Sequence, residues 1–563
     1  MAVLKNKSLF FTTSPRTPSK MIPEIKLLHE KFSGNEWNKS TQEKFIEELA
    51  TSSFFEGKGS PSDKAFSARD RINRAPKALG FVDLSPRISL TEAGELLVYS
   101  KRPHEIFLRQ LLKYQLPSPY HKENIDVQGT FYIRPYLEIL RLVRTLEFLT
   151  FDELKIFGLQ LTDYRKFDEV KNKILNFRDE KEKNKGRYKK FADDNLTSAI
   201  FDIYSDRIAS GKTKTRETKD SSIKKFVSTQ KKNLRDYADA CFRYLRYTGL
   251  ISISQKNRSI SVFEDKKTEV DFILQNVNRN PVFINDYEKY KIHLFSKVEP
   301  KLYTDNKENL IELLTKTYSL TKSELLEKEP EELKDIRDEI AQKHKENIIS
   351  KQITQIKSYS LYSDIINTFN DIKNNEYYDT PLMFEYNTWR AMTMLDGGKI
   401  KGNFRFDDSG QPLSTAQGNM PDIECDYDDF SMSVEVTLQS GQRQYESEGE
   451  PVARHYGQLR KRLGKDTYCL FIAPIINPAV IAHFFALNKM NISYYGGKSK
   501  IIPMDLDSFI NLIENSYRCK TQPNSSNIRQ LLDTIINFSE TAENEESWYS
   551  YIQTCTINWL IDI

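Results

Sequence analysis

At 563 residues the chain exceeds what one hydrophobic core ordinarily supports, so several domains are expected. Its 39% hydrophobic and 12% aromatic content excludes a disordered chain, and five scattered cysteines without a CxxC spacing fit neither a disulfide scaffold nor a zinc finger. No run of eighteen apolar residues and no apolar N-terminal core occurs, so no membrane partner and a cytoplasmic location are expected, while the net charge of +4 informs only where it is concentrated.

In chain order, Thr41 to Leu49 has a helical pattern, and Ala65 to Leu97 reads as helix, turn, short strand and helix. A basic helix opens at Ser67 and ends near Gly80, Leu84 to Leu90 with Pro86 supplies a short wing, and Thr91 caps the next helix. This outlines a winged helix-turn-helix. Its Arg69, Arg71, Arg74 and Lys77 fall within two turns, a spacing suited to phosphate or major-groove contact, although a salt-bridged helix face explains Arg69 and Arg71 equally well.

The outline recurs at Asp236 to Leu250, a helix carrying Arg243 and Arg246 and ending at Gly249. Ile251 to Ile253 and Ile260 to Phe263 follow as a hairpin. Just before it, residues 211–235 hold nine basic residues, Lys224 and Lys225 among them, against two acidic ones, a local charge of +7 that suits a phosphate backbone. Thr304 to Ser350 is charge-dense and helical, interrupted at Pro330, and reads as a connecting element.

Beyond it the pattern turns to α/β: a helix from Pro381 to Met394, a hairpin, a helix from Glu450 to Leu463, and an apolar strand from Thr467 to Ala473. A helix from Pro478 to Asn488, a strand from Lys500 to Pro503 and a helix from Leu506 to Ser516 complete the series. That order is the common core of the restriction-endonuclease-like fold. In the hairpin, Phe430 to Thr437 alternates at period two with Glu435 on the polar face, and Asp422 precedes the alternating Ile423, Cys425, Tyr427 run that an Asp428-Asp429 turn folds back. Two carboxylates delivered to one point by neighbouring strands make a hard-oxygen site of the kind Mg2+ occupies when it activates water against a phosphodiester.

Glu385 on the preceding helix and Glu448 before the next one are further candidates, with His455 on that helix. A lone carboxylate is ordinarily a solvated surface charge, and acidic residues near a helix N-terminus explain Glu448 equally well. In the restriction-endonuclease-like pattern a lysine stands two positions after the second acid. Here Thr437 stands there, which leaves the lysine's role to Glu448, His455, a second metal or a lysine from elsewhere.

Seven blocks then resemble one family: Ser14-Pro15-Arg16-Thr17-Pro18, residues 65–71, 88–94 and 243–250, Gly418 to Asp422, Glu435-Val436-Thr437 and residues 450–456. In this order they resemble the AlwI-type type IIS restriction endonucleases, the group that includes MlyI, PleI and the nicking enzyme BstNBI. The resemblance implies a multidomain fold, with an α-rich winged-helix recognition region at the N-terminus and an α/β restriction-endonuclease-like domain of the PD-(D/E)xK type at the C-terminus. The expected segments are 1–120 and 121–290 for recognition, 291–350 as a helical linker and 351–563 for cleavage.

Carried over, the active-site acids fall on Glu385, Asp422, Glu435 and Glu448, with Asp422 and Glu435 on the metal, and the nicking relatives share the missing lysine. Arg16, Lys20, Arg69, Arg71, Arg74, Lys77, Lys224, Lys225, Arg243 and Arg246 are the expected contacts to double-stranded DNA. The implied activity is Mg2+-dependent cleavage a few base pairs outside a short asymmetric site, with GAGTC preferred and GGATC second. A chain with one such site cuts both strands either with a second copy, as a transient homodimer on the DNA, or by sequential reorientation. A strand-specific nickase and an inactive DNA-binding protein are the alternatives.

Overall fold

The computed structural model describes residues 2–4, 7–52, 54–55, 61–123, 129–215, 217–395, 397–416, 419–519 and 523–560. Arg216 of the basic segment and Gly418 of the 418–422 block lie outside the described residues. The chain divides into two compact units, Met1–Ile336 and Arg337–Ile563. The division falls within the stretch 291–350 that was expected to connect the halves.

The first unit is mostly helical. Helix α1 (Lys64–Ile72) starts where the Asp63 side chain accepts the Phe66 N–H at 2.8 Å. Strands β1 (Val82–Asp83) and β2 (Ser89–Leu90) pair antiparallel, Val82 opposite Leu90, and α2 (Glu92–Tyr99) follows behind its Thr91 cap. Gly94 sits where an added Cβ would collide with the Phe81 carbonyl oxygen, so only glycine lets α2 approach the strand that closely. The second outline reappears with a third strand. β3 (Phe148–Thr150) joins a hairpin of β4 (Ile251–Ser254) and β5 (Ser259–Val262), in the order β3-β5-β4, and all pairs are antiparallel. The helix before it, α3 (Ile223–Tyr247), begins thirteen residues before Asp236, because Phe226, Thr229, Gln230 and Leu234 continue its buried stripe into the basic segment.

In the second unit α4 (Thr380–Leu395) is followed by a five-stranded sheet. Its strands are β6 (Lys399–Gly402), β7 (Ile423–Asp426), β8 (Phe430–Val436), β9 (Asp466–Ala473) and β10 (Ile501–Asp505), in the order β10-β9-β8-β7-β6. β6, β7 and β8 pair antiparallel, whereas β8, β9 and β10 run parallel, with α5 (Gln442–Leu463) and α6 (Pro478–Lys489) making the crossovers. α4 packs against β6 and β8, and α5 against β8 and β9.

Phe430 to Glu435 are all buried, so both faces of β8 are covered and the polar face of the alternation lies inside the protein. Ser431 and Thr467 satisfy each other there at 2.8 Å. After α7 (Leu506–Arg518), the helices α8 (Ser525–Thr541) and α9 (Glu545–Asn558) close the chain and bury Trp548 in the same core.

Candidate active site

The ladder between β7 and β8 places Ile423 opposite Val434. One residue further along the same register, Asp422 falls opposite Glu435. Beyond that last pair the Asp422 carboxylate takes over from the ladder, its Oδ2 accepting the Val436 N–H at 2.8 Å. Pro421 and Asp422 are themselves held by Asn403, whose side chain donates to the Pro421 carbonyl at 2.7 Å and whose backbone N–H donates to the Asp422 carbonyl at 2.9 Å. The hairpin expected from the alternation therefore forms, and it brings the two acids together.

Glu385 reaches the cluster from α4. It is 8% exposed, and its Oε2 accepts the Ala416 N–H at 2.9 Å. Glu448 comes from α5, where its Oε1 accepts from the Thr437 hydroxyl at 3.0 Å. It had been expected in the turn before that helix. The helix instead starts at Gln442 and continues through Pro451, carried by the buried Val452, Ala453, Tyr456 and Leu459.

Burial, followed by the charge of Asp422, pushes the Glu385 carboxyl well above the usual carboxylate range. Asp422 is raised by burial and then by Glu435 and Glu448, and Glu435 by burial and then by Glu448. The charge on one acid thus opposes ionisation of another at Glu385, Asp422 and Glu435. The four acids present carboxylate oxygens to one another, a composition that a proton or a hard divalent cation would neutralise. Among the described residues no three histidine, cysteine or acidic side chains already converge as a finished metal shell.

His455 Nδ1 lies 2.9 Å from Glu435 Oε1. Burial, and then the adjacent Arg454, pull the imidazole down to about 4, so the ring is neutral and this contact is a hydrogen bond rather than an ion pair. Arg454 itself escaped the sequence reading. Its guanidinium is the positive charge that lowers Glu435, and it donates to Asn419 Oδ1 at 2.6 Å and to Glu450 at 3.1 Å. Asn419 has φ +65°, a left-handed conformation that asparagine tolerates, so α5 clamps the turn that leads into Asp422. The signal available was Arg454 within the 450–456 block, although the pairing partner thirty-five residues away was not legible.

The expected DNA contacts all fall in the first unit. Arg16, Lys20 and Arg71 line one cleft of about 650 Å³ together with Ser14, Ser67 and Asp70, so the 14–18 and 65–71 blocks meet in space. Arg71 pairs with Glu24, Arg74 with Asp70 at 2.5 Å, and Arg69 donates to Gln42 at 2.8 Å. Arg16 lies 3.3 Å from Asp236, and Arg243 lies 3.1 Å from Asp239. Lys77 is partly withdrawn from water, and burial pulls its ammonium below the usual range. Arg246 is buried, whereas Lys20, Lys224 and Lys225 are exposed. Among the described residues no helix is long and apolar enough to cross a membrane.

No curated protein sequence matches the chain. Among solved structures it is similar to the small subunit of the heterodimeric restriction endonuclease R.BspD6I, at 26% identity over 34% of this chain and 98% of that one, with a TM-score of 0.31. The model of the AlwI restriction endonuclease family matches residues 77–512, a span that takes in the β1–β2 outline, the basic segment and all four clustered acids. With that match over most of its length, the chain belongs to the AlwI restriction endonuclease family and is a site-specific deoxyribonuclease.

Proposed function

We propose that the chain is a Mg2+-dependent type IIS endonuclease of the PD-(D/E)xK kind, acting on duplex DNA in the cytoplasm. Its winged-helix-like first unit would read a short asymmetric site, with GAGTC preferred, and its second unit would cut a few base pairs outside it. The observation that carries this reading is the register that pairs Ile423 with Val434 and so leaves Asp422 beside Glu435, with Asp422 raised by burial and then by Glu435, and Glu435 raised by burial and then by Glu448. Buried like charges are costly, and their retention at strand ends suits a cation-binding site better than a structural one.

Asp422 and Glu435 would hold the metal, which when bound supplies Lewis-acid activation of water and charge neutralisation at the scissile phosphate. His455, neutral and bonded to Glu435, would orient that carboxylate, and Glu385, fixed by the Ala416 N–H, would complete the acidic wall. Glu448 would orient the attacking water and take its proton as the water oxygen bonds to phosphorus. The P–O3′ bond would break in line, the departing O3′ taking a proton from a solvent water, leaving a 5′-phosphate and a 3′-hydroxyl. Basic side chains of the first unit would grip phosphates and read base edges.

Among the described residues there is one such cluster, so cutting both strands would need a second copy on the DNA or sequential reorientation of one chain. Supercoiled plasmid incubated with Mg2+ tests the reading. Linear product is expected, nicked circles alone would favour a strand-specific nickase, and retarded but intact plasmid would contradict the reading.

A further inference from the structure

Thr437 occupies the position where the restriction-endonuclease-like pattern has its lysine. It cannot carry a positive charge, but its surroundings are those of a positioned side chain. It is 8% exposed, it follows directly on the end of β8, and its backbone N–H is anchored to the Ile472 carbonyl of β9 at 3.1 Å. A β-branched side chain on a fixed backbone has little χ1 freedom.

Its hydroxyl has one proton to give, and the neighbours decide where that proton goes. The Gln439 N–H donates to the Thr437 Oγ1 at 3.1 Å, which occupies an acceptor lobe. The hydroxyl then donates to Glu448 Oε1 at 3.0 Å. Ser447 also lies 3.2 Å from that oxygen, but its single proton has a nearer acceptor, the Arg443 carbonyl at 2.7 Å. Thr437 is therefore the side-chain donor that holds Glu448.

Holding matters because a glutamate side chain on a helix has several rotatable bonds. Without a fixed donor its carboxylate would sample outward rotamers as well as the one facing Thr437.

We propose that Thr437 is a positioning residue whose hydroxyl aims the Glu448 carboxylate into the site, so that threonine and glutamate together serve where a single lysine serves elsewhere. This rests on the proposed role of Glu448 in orienting water.

The test compares Thr437→Val, Thr437→Ser and Glu448→Gln in the full-length protein, with Mg2+ and a plasmid that the wild type cuts, and measures DNA affinity and melting temperature in parallel. Valine keeps the branched shape without the hydroxyl, so kcat is expected to fall roughly 10- to 100-fold with KM and DNA affinity unchanged. Serine restores the hydroxyl and is expected to recover the rate to within about threefold of wild type. Thr437→Val cutting at the wild-type rate while Glu448→Gln is impaired would overturn the role of Thr437 alone, as would a serine variant as slow as the valine one. Glu448→Gln cutting at the wild-type rate would overturn the reading of Glu448 and this proposal with it.

Discussion

Under the proposed function Glu435 concentrates the conflict between stability and chemistry in this protein. It is 7% exposed, faces other acids and has a neutral imidazole as its neighbour. In the unfolded chain such a carboxyl releases its proton near pH 4. In the folded chain burial and Glu448 make it retain the proton to higher pH, and Asp422 and Glu385 behave alike. The folded state therefore binds more protons than the unfolded one over this interval. Stability is full below the unfolded value and falls as pH rises through the raised folded values. Glu435→Gln is thus expected to raise the melting temperature of the metal-free protein at pH 8 by an amount worth about 1 kcal/mol or more, with the gain shrinking toward pH 5. Thermal melts at the two pH values, with and without Mg2+, check this. The cation should stabilise the wild type and leave the variant nearly unchanged. A variant that melts below the wild type at pH 8 would show that the buried charge is already compensated.

At the scale of elements, legibility followed the range of the forces involved. The alternation from Phe430 to Val436 and the run from Ile423 are local patterns, and so the hairpin register, and with it the meeting of Asp422 and Glu435, could be read from the chain. The start of α5 could not. Proline lacks the N–H that would reach the Ser447 carbonyl, so Pro451 reads as a helix beginning, and only packing of the residues after it shows the helix running through. Nor could the burial of Ser431 and Ser433 be read, because a half-exposed strand and a strand covered on both faces share one alternation. α8 and α9 were missed as well, although Arg529 and Asp533 on α8 reach Asp429 and Tyr468 around the sheet.

The placement of α5 matters most for the site, since it carries Glu448, Arg454 and His455. At Gly457 an added Cβ would stand 3.0 Å from the Tyr495 Cα, so the helix approaches that backbone closely. Gly457→Val is expected to cost about 1–3 kcal/mol by overpacking and to slow cleavage more than it weakens DNA binding. Equal losses of binding and cleavage would argue that α5 does not set the geometry of the acids.

At the scale of the whole molecule, the modest charge of +4 conceals a separation of charged clusters. The segment 211–235 and the cleft shared by Arg16, Lys20 and Arg71 belong to the first unit, whereas the mutually repelling acids belong to the second. Under the proposed function binding and chemistry should then be separable by mutation, because one set of side chains would contact phosphates and bases and another would serve hydrolysis. The ion pairs of Arg71, Arg74 and Arg243 hold those cations within the first unit, where they can exchange a carboxylate for a phosphate only against that pairing. The most direct measurement is to follow, side by side, cleavage and DNA affinity of Asp422→Ala and Glu435→Ala on a plasmid that the wild type cuts in the presence of Mg2+. Both variants are expected to bind the DNA as tightly as the wild type and leave it intact. Cleavage by either variant at the wild-type rate would contradict the proposed function.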